Sequence, residues 1–314
     1  MKIIYVAAHD RGQNDDEGSI SYALRQLGHE VQPCRESKGH KALKLQPADL
    51  LLFHKWSDWE TIKKFQCPKV FWYFDLVDWP SDPTLARRCQ QRKEWMAHAI
   101  PLVDVGFCTD GDWVEIYNSN WRGTEDAKLV TLRQGADERV VGRGRERKCD
   151  SCGSPVTDYD VLMVGIAKGG GERRESFVRE LRERYGDRFK HVERGVYGRE
   201  LADLVARSKV VVCPDSPVTD RYWSNRVYVM AGFGACLLHP GNGYSSMWRP
   251  QIHGVHWYSD REYLFNKIDL LLENANYRRS SEEELLRSVN RYHLYRHRCE
   301  EMFRVLRRRE VIRG

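Results

Sequence analysis

The chain has 314 residues, 41% hydrophobic and 31% charged, a balance that excludes extensive disorder and supplies apolar side chains for about two domains. No uninterrupted apolar run approaches the roughly 18 residues that span a bilayer, so no membrane insertion is expected and the cytoplasm is the default location. A net charge of +6 permits an acidic ligand without requiring one.

The opening MKIIYVAAHD reaches His9 and Asp10 too soon for a signal sequence and reads as a first β-strand, Ile3 to Ala7. A helical stripe at Ile20, Leu24 and Leu27 follows, then strand-like runs at Val31, Leu50 to Phe53, Val70 to Phe74, Val105 to Cys108 and Leu129 to Leu132. Short apolar runs alternating with helices predict a parallel sheet, whose functional loops leave the strands' C-terminal ends.

Residues 138–157 are basic, contain glycine and are broken by Pro155, the composition of a linker. A second series then begins. It has strands at Val161 to Val164 ending in Gly165, at Phe189 to Val192, at Val210 to Cys213 and at Cys236 to His239. Helices are predicted over 172–185 and around Leu201, Leu204 and Val205. From Ser281 a Ser and three Glu open a segment that ends in arginines, which predicts one long C-terminal helix. The expected division is a first domain over 1–140, a linker over 141–157, a second domain over 158–280 and a helical segment over 281–314.

The nine cysteines are scattered and several lie inside apolar strands, which argues against a disulfide framework. Cys149 and Cys152 have metal-ligand spacing, but a four-ligand zinc site needs a second pair and none is spaced for it. No metal requirement is assigned.

Several segments place groups that bind anions after predicted strands. In VLMVGIAKGGGERR, Gly165, Lys168 and Arg173 follow a strand where backbone N–H groups and cations meet a diphosphate; a plain turn with solvated charges fits the segment equally. Further on, Ser224, Asn225 and Arg226 precede a helix of small residues. A guanidinium beside a helix N-terminus is a good diphosphate site; the alternative is that Arg226 pairs with a nearby carboxylate. Gly18 and Ser19 open the first helix, either against a phosphate or as part of a capped turn. His9 ends the first strand and is a candidate base or a structural histidine. In PKVFWYFDLVDWP, Asp75 ends an aromatic-rich strand, where it serves as a catalytic base or caps the next helix.

The succession VLMVG, GVYGREL, VVVCPDS, SNRVYVMAGFGACLL resembles the C-terminal domain of group-1 GT-B glycosyltransferases, in particular the spore-maturation-type branch, over roughly 161–300. The resemblance implies an α/β GT-B fold with two Rossmann-like domains facing a cleft, and a nucleotide-sugar donor, a UDP-sugar by expectation. It places Gly165, Lys168, Ser224 and Arg226 at the donor phosphates and Tyr197 at the nucleobase. The family's ribose-binding Glu, three residues after the Arg, is replaced by Val229, which moves that role to a residue such as Tyr228. The segment around Asp75 is similar to that of the catalytic Asp of bacteriophage DNA β-glucosyltransferases. The acceptor it implies is 5-hydroxymethylcytosine, or another hydroxymethylated pyrimidine, in double-stranded DNA. The basic runs at 139–148 and 304–313 would follow its phosphates, and Trp56, Trp59, Trp79 and Trp113 would stack on or replace an extruded base. Other readings are transfer to a cell-surface glycan, lipid or small molecule, and a binding module that has lost catalysis.

Overall fold

The structure is a computed structural model that describes residues 1–9, 15–38, 47–78, 86–120, 127–142, 157–167, 172–193, 195–213, 221–222, 224–241 and 252–313, without the side chains of 172 and 173. It contains two compact units, one of Met1–Gln134 with Tyr295–Gly314 and the other of Gly135–Leu294.

The first unit is a parallel sheet with helices. In chain order it has β1 (Lys2–Ala7), α1 (Asp16–Gln26), β2 (Glu30–Arg35), β3 (Leu50–Phe53), α2 (Trp59–Lys64), β4 (Lys69–Tyr73), α3 (Ala86–Ala99), β5 (Val105–Cys108), α4 (Gly111–Ser119) and β6 (Leu129–Thr131). The strand order is β2-β1-β3-β4-β5-β6, all parallel. Both sheet faces are covered, so the strands are continuous apolar runs. Along β1, Ile3, Tyr5 and Ala7 enter one core with Leu24 and Trp72, while Ile4 and Val6 enter the other with Phe53 and Phe71. Asp15, Asp58 and Asp110 cap α1, α2 and α4 with their carboxylates.

The second unit repeats the plan with β7 (Tyr159–Val164), α5 (Glu172–Tyr185), β8 (Phe189–Val192), α6 (Gly198–Ala206), β9 (Ser208–Val212), α7 (Arg226–Phe233), β10 (Leu237–Pro240), β11 (His256–Tyr258), α8 (Arg261–Glu273) and α9 (Ala275–Tyr292). The order is β11-β10-β9-β7-β8, again all parallel. In each sheet the strand order reverses once, between β1 and β3 and between β7 and β9. Such a switch point opens a crevice at the strands' C-terminal ends.

The helix expected from Ser281 is two helices. The first, α9, belongs to the second unit, and α10 (Tyr295–Arg308) packs in the first. The break has a backbone cause. His293 O accepts from Ala136 N at 2.8 Å and Leu294 pairs with Ala136 in a β-bridge, which takes this stretch out of helical geometry. Beyond the break, Tyr295, Cys299, Met302, Phe303 and Leu306 fill the core beside α1 and Trp72. No described helix is long and apolar enough to cross a membrane.

Candidate functional site

The second unit brings several predicted residues to the C-terminal edge of its sheet. Gly165 ends β7 at the switch point with φ 146°, a conformation that favours glycine. Its N–H donates to Val192 O at 2.9 Å, and His191 Nε2 donates to its carbonyl at 2.8 Å. Lys168 lies outside the described residues. So does the side chain of Arg173, whose backbone is in α5.

Asn225 occupies the N-cap of α7 in helical geometry and makes no side-chain cap bond. Arg226 is the first residue of that helix, and among the described residues no carboxylate forms an ion pair with it. Its charge still reaches inward. It opposes the effect of burial on the Cys213 thiol, which is pushed up to about 12, and joins burial in lowering His239 to about 4. Ser224 Oγ, beside it, is buried and has no hydrogen-bond partner among the described residues.

Tyr197 is the N-cap of α6, again without a side-chain cap bond, between Gly195 at φ 89° and Gly198 at φ 53°. A cavity of about 520 Å³ opens beside it between β8 and α6, lined by Lys190, His191, Val196 and Glu200 among others. Tyr228 is placed differently. It is 2% exposed and its ring packs in the core, 5.6 Å from that of His293.

In the first unit His9 and His54 flank the switch point. His9 is one of two non-glycine residues with positive φ among those described, at 48°. A carbonyl only accepts, so the His9 Nε2 to Tyr5 O contact at 3.2 Å puts the ring proton of neutral His9 on Nε2 and leaves Nδ1 as the basic nitrogen. His54, 5% exposed, stays neutral because burial lowers its pKa. Burial also holds the Tyr5 phenol well above its usual range, so Tyr5 donates to His54 Nε2 at 2.8 Å. His54 Nδ1 then faces Glu17 Oε1 at 3.6 Å. Burial, the largest single influence, raises Glu17, but the contact with His54, a backbone hydrogen bond and the nearby His9 together outweigh it and bring it to about 2.

Asp75 follows β4. Lys55 Nζ contacts its Oδ2 at 2.5 Å and Arg92 Nη2 contacts the same oxygen at 3.7 Å. Both cations use Oδ2, so the carboxylate is oriented while Oδ1 makes no contact with them. The N–H groups of Gly18 and Ser19 are engaged in the α1 cap, the first with Asp15 Oδ1 at 2.6 Å and the second with Asp15 O at 3.1 Å. The capped-turn alternative describes these two residues as they stand.

The tryptophans divide. Trp56 is a core residue at 2% exposure, which corrects the expectation that it stacks on an extruded base. Trp59 stacks on His98, Lys93 lies 5.6 Å from the Trp113 ring, and Trp79 is outside the described residues. Of the basic runs, Arg304, Arg307, Arg308 and Arg309 are exposed, Arg139 pairs with Asp137, and 143–148 are not described. Cys149 and Cys152 also lie outside the described residues, among which no group of three or more His, Cys, Asp or Glu is arranged to hold a metal ion. His54 and His239 were missed, although each ends a buried apolar strand as His9 does.

Residues 173–304 match the family model described as glycosyl transferase-like. The fold is that of GT-B glycosyltransferases, two Rossmann-like parallel-sheet units, and the match over 173–304 supports a glycosyltransferase. No curated protein matches in sequence. Among solved structures, the chain is similar to an alpha-glucosyltransferase in complex with UDP-glucose and DNA containing an abasic site, at TM-score 0.68 and 12% identity over 97% of this chain and 98% of that one. It is also similar to a sucrose-phosphate synthase from Thermosynechococcus elongatus, at TM-score 0.63 and 12% identity over 98% of each chain. A third is the Anabaena protein HepE with UDP-glucose, at TM-score 0.58 and 11% identity over 98% of this chain and 99% of that one.

Proposed function

We propose that this glycosyltransferase uses a UDP-sugar and transfers the sugar to the hydroxyl of a hydroxymethylated pyrimidine in double-stranded DNA. The observation that carries the donor reading is Arg226, a cation at the start of α7 with no carboxylate pairing it among the described residues, beside the unpartnered hydroxyl of Ser224. A diphosphate supplies what both lack. In this reading Gly165, Lys168 and Arg173 complete the phosphate contacts, Tyr197 meets the nucleobase, and Asn225 positions the turn.

For transfer, the acceptor oxygen attacks the anomeric carbon, the bond from that carbon to the diphosphate breaks, and the hydroxyl proton passes to a base. Asp75 Oδ1 is that base, with Lys55 and Arg92 holding the carboxylate by Oδ2. His9, through Nδ1, is the second candidate. DNA as the acceptor draws support from the exposed arginines of α10 and from the likeness to a glucosyltransferase solved with UDP-glucose and DNA.

The test is incubation with a panel of nucleotide sugars and with hydroxymethylated or unmodified duplex DNA, followed by mass analysis of the digested nucleosides. A hexose added only to hydroxymethylated bases is the expected result, with DNA affinity falling steeply as salt rises. Donor hydrolysis without DNA modification, and without salt-dependent DNA affinity, would move the acceptor to a glycan, lipid or small molecule. Neither donor binding nor hydrolysis would remove the catalytic reading.

A further inference from the structure

The imidazole of His239 ends β10 and is fully buried, at 0% exposure. Its Nδ1 lies 2.7 Å from Pro240 O, and because a carbonyl only accepts, Nδ1 carries the proton. The ring is neutral near pH 7, since burial and then the Arg226 charge lower its pKa to about 4. Nε2 is therefore a lone-pair acceptor, and it has no hydrogen-bond partner among the described residues. Buried polar atoms are seldom left in that state.

The fold places this ring on the face of the sheet that α7 covers. Leu237 packs in one core with Val227, Tyr228 and Met230 of α7, whereas Cys236 and Leu238 enter the core on the opposite face. Side chains alternate along a strand, so His239 shares the face of Leu237 and of α7. The chain turns back at Gly234 from α7 into β10, which sets the first turn of α7 over the end of the strand where His239 lies. Arg226 and the unpartnered Ser224 hydroxyl are thus its neighbours at one edge of the sheet. These groups suit a phosphate, but a neutral Nε2 offers no proton to one. It suits an O–H. Val229, packed against the core, offers no acceptor of its own.

We propose that His239 is a recognition residue of the donor site, its Nε2 accepting a hydrogen bond from a hydroxyl of the bound nucleotide sugar. The inference rests on the donor reading above. The hydroxyl belongs to the ribose or to the transferred sugar, and the two sources are separable.

The experiment titrates the full-length protein and its His239→Phe and His239→Gln variants calorimetrically with UDP, 2′-deoxy-UDP, 3′-deoxy-UDP and UDP-glucose, with thermal unfolding of each as a control. His239→Phe should weaken UDP-glucose binding by about tenfold, and His239→Gln, whose amide oxygen accepts, should recover much of the loss. If the ribose is the partner, UDP weakens equally and the wild type alone discriminates against a deoxy analogue. If the sugar is the partner, UDP affinity does not change. The ¹⁵N resonance of His239 Nε2 in the wild type should shift on adding UDP-glucose, a readout that needs no folded variant. An unmoved resonance, or equal affinities of wild type and His239→Phe for UDP and UDP-glucose, overturns the proposal and leaves His239 a core residue. A wild type that binds neither ligand overturns the donor reading, and this inference with it.

Discussion

Replacing Arg226 with alanine isolates the charge at the start of α7. No described carboxylate is paired with Arg226, so Arg226→Ala orphans no described acid, and alanine is at least as good a helix former. The fold should therefore be retained. A charge-assisted hydrogen bond contributes about 1.5–3 kcal/mol, which is about a 10- to 150-fold rise in the dissociation constant for UDP and UDP-glucose. Arg226→Lys keeps the charge without the planar fork and should fall between the two. An internal control comes from His239, whose pKa is held down by burial and then by Arg226; removing the charge should raise it. Calorimetric titration at fixed salt, with an NMR titration of the His239 ring, measures both effects. A folded Arg226→Ala variant that binds UDP with wild-type affinity would refute the reasoning and take Arg226 out of the donor site.

Two further predictions concern titratable groups. Asp75→Asn keeps the size of the side chain but cannot take a proton, so transfer should fall by about 10²–10⁴-fold. Its pairing with Lys55 is partly exposed and contributes about 0–1 kcal/mol, so folding and donor affinity should hold; transfer at the wild-type rate would shift the base to His9. Stability should decline as pH falls from 6.5 toward 4. Unfolded His239 takes a proton near 6.5 whereas the folded ring resists until about 4, so the unfolded state binds more protons throughout that window. For this fully buried ring the loss is about 3 kcal/mol by the low end. Glu17, held near 2 against 4.5, adds a separate loss only below 4.5. Denaturant unfolding at pH 7 and pH 5 measures the first effect, and a His239→Phe variant with undiminished pH dependence would contradict it.

Much of the fold was legible because parallel strands buried on both faces must be apolar at every position. The runs at Ile3, Leu50, Val105, Val161 and Val210 could hardly be anything else. Weaker signals fared worse. Only Val31 marked β2, a half-exposed edge strand that contains Pro33. β11 has three residues, too few for a period. The break at His293 left no trace, because the pattern of the C-terminal helices runs through it and the cause is a distant backbone partner, Ala136.

The site was legible to the extent that anion-binding groups follow strands. Gly165, Ser224 and Arg226 could be named as candidates because the edge of a parallel sheet is where helix N-termini and glycine turns gather, a property of local order, whereas Tyr197 was named only through the family resemblance. What local order does not carry is partnership. Tyr228 and Trp56 read as accessible aromatics but are core residues, since burial depends on what packs above them. The contacts of Lys55 and Arg92 with Asp75 and of Glu17 with His54 join residues on different elements, and so does the nearness of His239 to Arg226. The sequence by itself determined the two α/β units and the residues at their strand ends, because burial periodicity is written residue by residue. Which of those residues are capped, paired or left with an open lone pair was decided only by the tertiary structure, because hydrogen bonds and charges act through space.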